Sequence, residues 1–305
     1  MTTSDDVRAA AERIAGRVRR TPVLRDGPAL FKLEYLQHTG SFKARGMLNR
    51  ILAAAQRGEL PPAGIVAASG GNAGLAAAYA ARELGVPAEV YVPVTAPPVK
   101  VAKLGKLGAR VVQTGNEYAE AYAAAIVQAR ATGALFCHAY DDPDMIAGNG
   151  SAGLELLDEL PGGFDTVLVA VGGGGLVAGL AAALHGHARV VAVEPRTCPS
   201  LSAALAAGEP VDVPVSGVAA DSLGARRIGT LPYEVAVRTG VISVLVDDQA
   251  IVDARRRLWE DHRIVVEHGA ATAQAALTSG AYVPAAGERV VTLLCGANTN
   301  PADLA

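Results

Sequence analysis

Short runs rich in β-branched residues alternate with Ala-rich stretches of helical length along most of this sequence, and that alternation restricts the fold more than any other feature. The runs are GIVAAS (64–69), AEVYVPV (88–94), ARVVQT (109–114), TVLVAV (166–171), RVVAVE (189–194) and RVVTLLC (289–295). Among the helical stretches are NAGLAAAYAARELG (72–85), PPVKVAKLGKLG (97–108) and EYAEAYAAAIVQARATG (117–133). Such alternation predicts an α/β fold of mostly parallel, twisted sheets flanked by helices, with ligands at the carboxyl ends of the strands. The strands before residue 115 are expected to form a small sheet and the later ones a larger sheet. No repeat, low-complexity tract or long linker interrupts the pattern.

One segment tests this reading. From Thr166 to Leu184 the sequence is uncharged for 19 residues, long enough to cross a membrane. Four consecutive glycines break it, so it reads as buried strand, turn and helix. The first twenty or so residues are charged and helix-patterned, without the apolar core of a secretory signal. A net charge of −3 and 4% aromatic residues give neither a basic surface nor stacking platforms, so nucleic acid is not expected as a partner. Cys137, Cys198 and Cys295 are odd in number and far apart, which argues against a disulfide framework and a four-ligand zinc site and fits a reducing cytoplasm. The histidines show no metal-ligand spacing; His185 and His187 read as solvated, and DARRRLWEDHR (253–263) as a charged helix face.

Chemistry concentrates in a few stretches. GSFKARG (40–46) places Lys43 where a helix begins. If Ser41 caps that helix, Lys43 lies beside the positive end of the helix dipole, a field that favours the neutral, nucleophilic amine. The bland alternative is an exposed lysine lying along Phe42. SGGN (69–72) carries Ser69, Gly70, Gly71 and Asn72 from a strand into a helix, either as an anion-binding turn or as a simple turn capped by Asn72. Gly172 to Gly175, followed by Leu176, let backbone approach a phosphate from several sides. Gly173, Gly175 and Ala178 also satisfy a dinucleotide pattern, with Glu194 ending the next strand. That rival leaves Lys43 and SGGN unexplained. Cys295 arrives at the carboxyl end of a late strand, either as a small apolar side chain or as a weak S–H donor to a ring nitrogen.

Taken in order, KLEYLQHTGSFKARG, SGGNAGLAAAYAARELGVPA, HAYDDP, GGGGL, VEP, SGVAADSLGARRIG and LLCGAN resemble the serine/threonine dehydratases. These are pyridoxal-phosphate enzymes of the two-domain tryptophan-synthase-β fold, fold type II. The resemblance implies a large domain of residues 1–36 and 138–305 and a small domain of residues 37–137. It implies that Lys43 is the Schiff-base lysine and then the general base, that Phe42 packs near the ring and that Asn72 bonds the ring oxygen. Gly172, Gly173, Gly174, Gly175 and Leu176 would cradle the phosphate, and Cys295 would face the ring nitrogen. Ser69, Gly70, Gly71 and Asn72 would hold the substrate carboxylate, with Ser69 near the leaving group. A monovalent cation such as potassium would be held by the Glu194 carboxylate, the Ser200 hydroxyl and carbonyls near Gly172, Cys198, Leu223 and Ala225. The implied reaction is β-elimination from L-serine or L-threonine, giving pyruvate or 2-oxobutyrate with ammonia, in a cytoplasmic homodimer.

Some positions depart from that pattern. NAG follows the family's animal-type serine dehydratases where many threonine dehydratases have NHA, and His268 follows Glu267 where a proline is usual. The sequence ends soon after LLCGAN, so no regulatory domain is expected. A racemase or β-replacing synthase of the same fold shares nearly every motif and stays open, as does a non-catalytic cofactor-binding or amino-acid-sensing homologue. Serine and threonine are not distinguished, because one methyl group is worth only ~1–3 kcal/mol in a pocket.

Overall fold

β-Branched runs become strands here because neighbouring strands and helices bury them on both faces, as a parallel sheet requires. A computed structural model describes residues 2–304 and places them around two sheets. The smaller is wholly parallel, in the order β5 (Arg110–Gln113), β4 (Ala88–Val92), β3 (Ile65–Ala68), β6 (Leu135–Phe136). The larger runs β1 (Val23–Asp26), β2 (Ala29–Lys32), β10 (Val290–Leu293), β7 (Thr166–Ala170), β8 (Arg189–Pro195), β9 (Ile242–Val246). Only the β1–β2 hairpin in it is antiparallel. The expected small sheet therefore gains the two-residue strand β6, and the large sheet gains the hairpin and β9.

Helices cover both sheets. α3 (Asn72–Leu84), α4 (Pro98–Lys106) and α5 (Tyr118–Thr132) accompany the small sheet. α6 (Pro143–Glu159), α7 (Gly175–Leu184), α8 (Ser200–Ala207), α9 (Ala220–Leu223), α10 (Thr230–Thr239), α11 (Asp248–His262) and α12 (His268–Thr278) accompany the large one. α1 (Ser4–Ile14) and α2 (Lys43–Gln56) complete the set, with α1 closed by a reciprocal cap between Thr3 and Asp6. The uncharged stretch 166–184 is strand β7, the glycine turn and α7, buried along its length except at the turn. Among the described residues, no helix is long and apolar enough to cross a membrane. His185 and His187 are exposed, as expected. The charged-face reading of 253–263 fails at Arg255, which is buried and bonds the Val266 carbonyl and Asp303.

A buried ionic cluster joins α2 to the large sheet. Arg45 is fully enclosed and donates to both Glu34 oxygens, at 2.8 and 2.7 Å, and to Glu155 at 2.7 Å. Lys32, equally enclosed, donates to Glu155 at 2.8 Å, to Glu159 at 3.0 Å and to the Thr21 carbonyl at 2.6 Å. Strand β2, the turn after it, α2 and α6 each contribute a charge. Removing one partner of such a cluster strands a buried charge. Arg45→Met, which leaves Glu34 without its guanidinium, is expected to destabilise the protein by about 3–5 kcal/mol in urea unfolding. A loss below about 1 kcal/mol, the scale of a solvated pair, would show that water reaches the cluster.

Candidate active site

The start of α2 is held by the end of β10. Ser41 and Gly296 form an isolated antiparallel bridge, and the Phe42 N–H donates to the Cys295 carbonyl at 3.0 Å. The bridge keeps Ser41 extended while Phe42 is already helical, so the Ser41 hydroxyl lies too far back to cap the helix. Phe42 is the N-cap, and the buried Ser41 hydroxyl has no partner. Lys43 is not the exposed lysine of the bland reading. Its amine donates to the Ala139 carbonyl at 2.7 Å and lies 5.0 Å from the centre of the Phe42 ring. Burial pushes its pKa down to about 8, against the opposing pull of Cys295 and Glu267. Desolvation, rather than the helix dipole, is the dominant cause.

The SGGN turn leads from β3 into α3. Gly71, not Asn72, is the N-cap, and no side chain caps the helix. The Ser69 hydroxyl instead accepts the Gly71 N–H at 3.2 Å. Asn72 is the first helical residue, and its amide is engaged on both sides. Its Nδ2 donates to Glu267 Oε1 at 2.7 Å, and its Oδ1 accepts from Asn298 Nδ2 at 2.7 Å. Burial raises Glu267 to about 7, moderated by the Asn72 amide and the Asn298 N–H.

The tetraglycine turn follows β7, and α7 also begins without a side-chain cap. A Cβ on Gly173 would lie 2.3 Å from the Tyr140 ring, and one on Gly174, whose φ is +91°, 2.5 Å from Ile228. A Cβ on Gly172 would lie 3.0 Å from the Leu223 backbone. The turn must therefore be bare of side chains, and its amides are left facing outward from an uncapped helix end. Tyr140 follows Ala139, so a single segment joins this turn to the Lys43 amine. His138 steadies the segment by accepting the Asp141 N–H at 2.8 Å.

Cys295 is buried, and burial raises its thiol pKa, so it remains an S–H group. Glu194 meets neither solvent nor an arginine. It is fully buried, and its carboxylate accepts the Leu201 and Ser202 N–H groups at 2.7 and 2.8 Å, and the Ser243 hydroxyl at 3.2 Å. Burial raises it to about 7. These bonds hold the carboxylate away from any ribose, which weakens the dinucleotide reading. The Ser200 hydroxyl donates to the Gly172 carbonyl at 2.7 Å. The Cys198 carbonyl accepts the Ser200 N–H at 3.2 Å, and the Leu223 carbonyl accepts the Ala225 N–H at 2.9 Å. A surface ion pair, Lys100 to Asp221 at 2.6 Å, links α4 to α9.

A family model described as pyridoxal-phosphate dependent enzyme matches residues 14–296. The chain belongs to this family. An L-threonine ammonia-lyase of Geobacter sulfurreducens is 38% identical over 301 residues, covering 95% of this chain and 74% of that protein. Among solved structures, maize serine racemase superposes with a TM-score of 0.92 at 30% identity, covering 99% of this chain and 95% of that one. A threonine deaminase from T.th. superposes with a TM-score of 0.89 at 36% identity, covering 98% of this chain and 99% of that one. The fold is thus the two-sheet architecture of this pyridoxal-phosphate family.

The donor set fits that cofactor: an enclosed amine of lowered pKa suits an aldehyde, and the uncapped turn into α7 suits a phosphate. Sequence reasoning passed over Tyr140, Asn298 and the Ala139 carbonyl. HAYDDP and LLCGAN contained or adjoined them, but nothing in either stretch announces which backbone or amide group faces the site. The Lys43 amine is expected to react with a small aldehyde through an apparent pKa of about 8, well below the ordinary 10.5, so reaction should rise steeply between neutral pH and about pH 9. A rate that climbs only near the ordinary value would show an exposed amine. Lys43→Ala should abolish the visible absorbance of bound pyridoxal phosphate while leaving the circular dichroism unchanged.

Proposed function

We propose that the protein is a serine/threonine dehydratase, eliminating water from L-serine or L-threonine to leave an unsaturated amine that a second water hydrolyses to pyruvate or 2-oxobutyrate and ammonia. The observation that carries this reading is the enclosed Lys43 amine, of lowered pKa, with the buried thiol Cys295 and the Glu267 carboxylate among the groups that act on it. The names of relatives such as the Geobacter ammonia-lyase support the same reaction. Bound pyridoxal phosphate would supply the electron sink that acidifies the substrate's Cα–H bond. Lys43, Phe42, Asn72, Gly172 to Gly175, Leu176 and Cys295 are the residues proposed to hold it.

Lys43 would hold the cofactor's aldehyde carbon and, once the substrate amine displaces it there, its freed amine would take the α-proton; a pKa of about 8 leaves an appreciable neutral fraction near neutral pH. The uncapped start of α3, with Ser69, Gly70, Gly71 and Asn72, offers backbone N–H groups to the substrate carboxylate. Ser69 is the side chain that would lie near the departing hydroxyl. Facing the ring of a bound cofactor, the Cys295 S–H would be a weak donor that does not fix a full proton on the ring nitrogen, which would suit loss of the β-hydroxyl. Racemisation needs a second acid/base on the face opposite Lys43, and in serine racemases of this fold that group is a serine directly after the residue matching Ser69. Gly70 has no proton to give.

The small domain of 37–137 and the large domain of 1–36 with 138–305 belong to this proposal, supported by the separate sheets and their largely separate apolar cores. So does a potassium ion at Glu194, Ser200 and the carbonyls of Gly172, Cys198, Leu223 and Ala225. A fully buried carboxylate with no basic side chain paired to it among the described residues supports a cation there. Three free, buried cysteines support a reducing cytoplasm, and the homodimer is carried by the family resemblance.

Incubation with L-serine, followed by pyruvate assay and chiral analysis of the remaining amino acid, should yield pyruvate far faster than D-serine. Comparable rates would favour the racemase reading that the maize structure represents. Gly70→Ser should raise the D-serine share, whereas Cys295→Asp should slow elimination and Cys295→Ser preserve it. Potassium should raise the rate over tetramethylammonium at equal ionic strength, and Glu194→Gln should remove that difference; equal rates in both salts would dismiss the cation.

A further inference from the structure

We propose that Asn298 and Glu267 fix the Asn72 amide in one orientation, presenting its remaining Nδ2–H as a donor to the oxygen of the cofactor ring. This rests on the reading above that Asn72 faces that ring. The Thr39 carbonyl carries no proton, so the atom of Asn298 lying 2.7 Å from it is the amide nitrogen. The same nitrogen lies 2.7 Å from the Asn72 side chain, which must therefore offer its oxygen. The Asn72 nitrogen then falls 2.7 Å from the Glu267 carboxylate, the second acceptor.

Turning Asn72 over would set amide nitrogen against amide nitrogen and oxygen against carboxylate. The first contact is a repulsion whatever the charge on Glu267, and the second is one whenever Glu267 is ionised. Glu267 is itself held: its N–H donates to the Gly296 carbonyl at 3.1 Å, and its carboxylate also takes the Asn298 N–H. Any Cβ on Gly296 would lie 2.5 Å from Glu267 Oε1 and 3.3 Å from Asn72 Nδ2, so the contact admits no intervening side chain. An amide nitrogen has two protons. Glu267 takes one and the other is left, so Asn72 meets the ring oxygen only as a donor and favours its ionised form. Asn298 and Glu267 are positioning residues; neither needs to touch the cofactor.

The test compares two substitutions at one position. Asn298→Ala removes the hold, whereas Asn298→Asp keeps the shape but puts acceptor oxygens against Asn72 Oδ1 and draws the amide round. Spectroscopic titration with pyridoxal phosphate should show affinity weakened about 10-fold in Asn298→Ala and about 100-fold in Asn298→Asp, the range spanned by one or two charge-assisted bonds. The bound absorbance of the aspartate variant should move to shorter wavelength, as the ring oxygen loses its donor. Glu267→Ala should weaken affinity to about the same extent as Asn298→Ala, again about 10-fold. In an Asn72→Ala background, Asn298→Asp should add no further loss. Matching melting temperatures of the cofactor-free proteins would exclude misfolding. A space-filling role predicts the reverse order, because aspartate is nearly isosteric. An aspartate variant milder than alanine, an additive loss without Asn72, or wild-type binding in Glu267→Ala would overturn the clamp alone. A wild-type protein that takes up no cofactor, or a Lys43→Ala protein that keeps its absorbance, would overturn the functional reading and the clamp with it.

Discussion

The ion pairs around Arg45 decide where the reactive amine lies. Arg45 sits two residues beyond Lys43 on the first turn of α2, and its fork is closed on Glu34 and Glu155 in the protein interior. A buried network of this kind adds little net stability compared with a well-packed apolar replacement. Its value lies in register, since a shift of α2 by one residue would leave charges facing carbon. The bridge from Ser41 to Gly296 fixes the same turn from the other side. Lys43 is thereby set by two constraints, one ionic and one of backbone hydrogen bonds, neither of which it makes itself.

Burial then does the chemical tuning. The same low-polarity surroundings that lower the Lys43 ammonium raise the Cys295 thiol and the Glu267 carboxylate, so all three groups are pushed toward their neutral forms. A neutral amine can attack, a neutral thiol can donate weakly, and a carboxylate poised near neutrality can hold an amide without fixing a strong field beside the amine. Elements from both sheets meet to enclose this space, so the shielding exists only when the chain is fully folded.

Most of the fold was legible because its central strands are long, β-branched and buried on both faces. The hairpin β1–β2 and strand β6 were not, since VLRD, ALFK and LF are too short to show a period and are strands only because neighbours pair with them. The site divided the same way. Lys43, Asn72 and the glycines stand in motifs that the family resemblance singles out, whereas Asn298, Tyr140 and the Glu34–Arg45–Glu155 cluster depend on contacts between distant parts of the chain. The Ser41 cap failed for a similar reason: a partner strand more than two hundred residues away holds that residue extended.

The two glycine turns differ in their openness to evolutionary change. In the tetraglycine turn, Tyr140 and Ile228 fill the space that a Cβ on Gly173 or Gly174 would need, so new side chains there would be purged by selection as folding or binding defects. At Gly70 the nearest atoms to a Cβ are Val92 at 3.5 Å and Lys100 at 4.0 Å, ordinary contact distances. Glycine and serine codons can differ by a single base. Packing therefore does not guard the position proposed to set the balance between losing and reprotonating a substrate, and on that proposal a lineage carrying this scaffold can drift between the two outcomes without first crossing a valley of unstable intermediates.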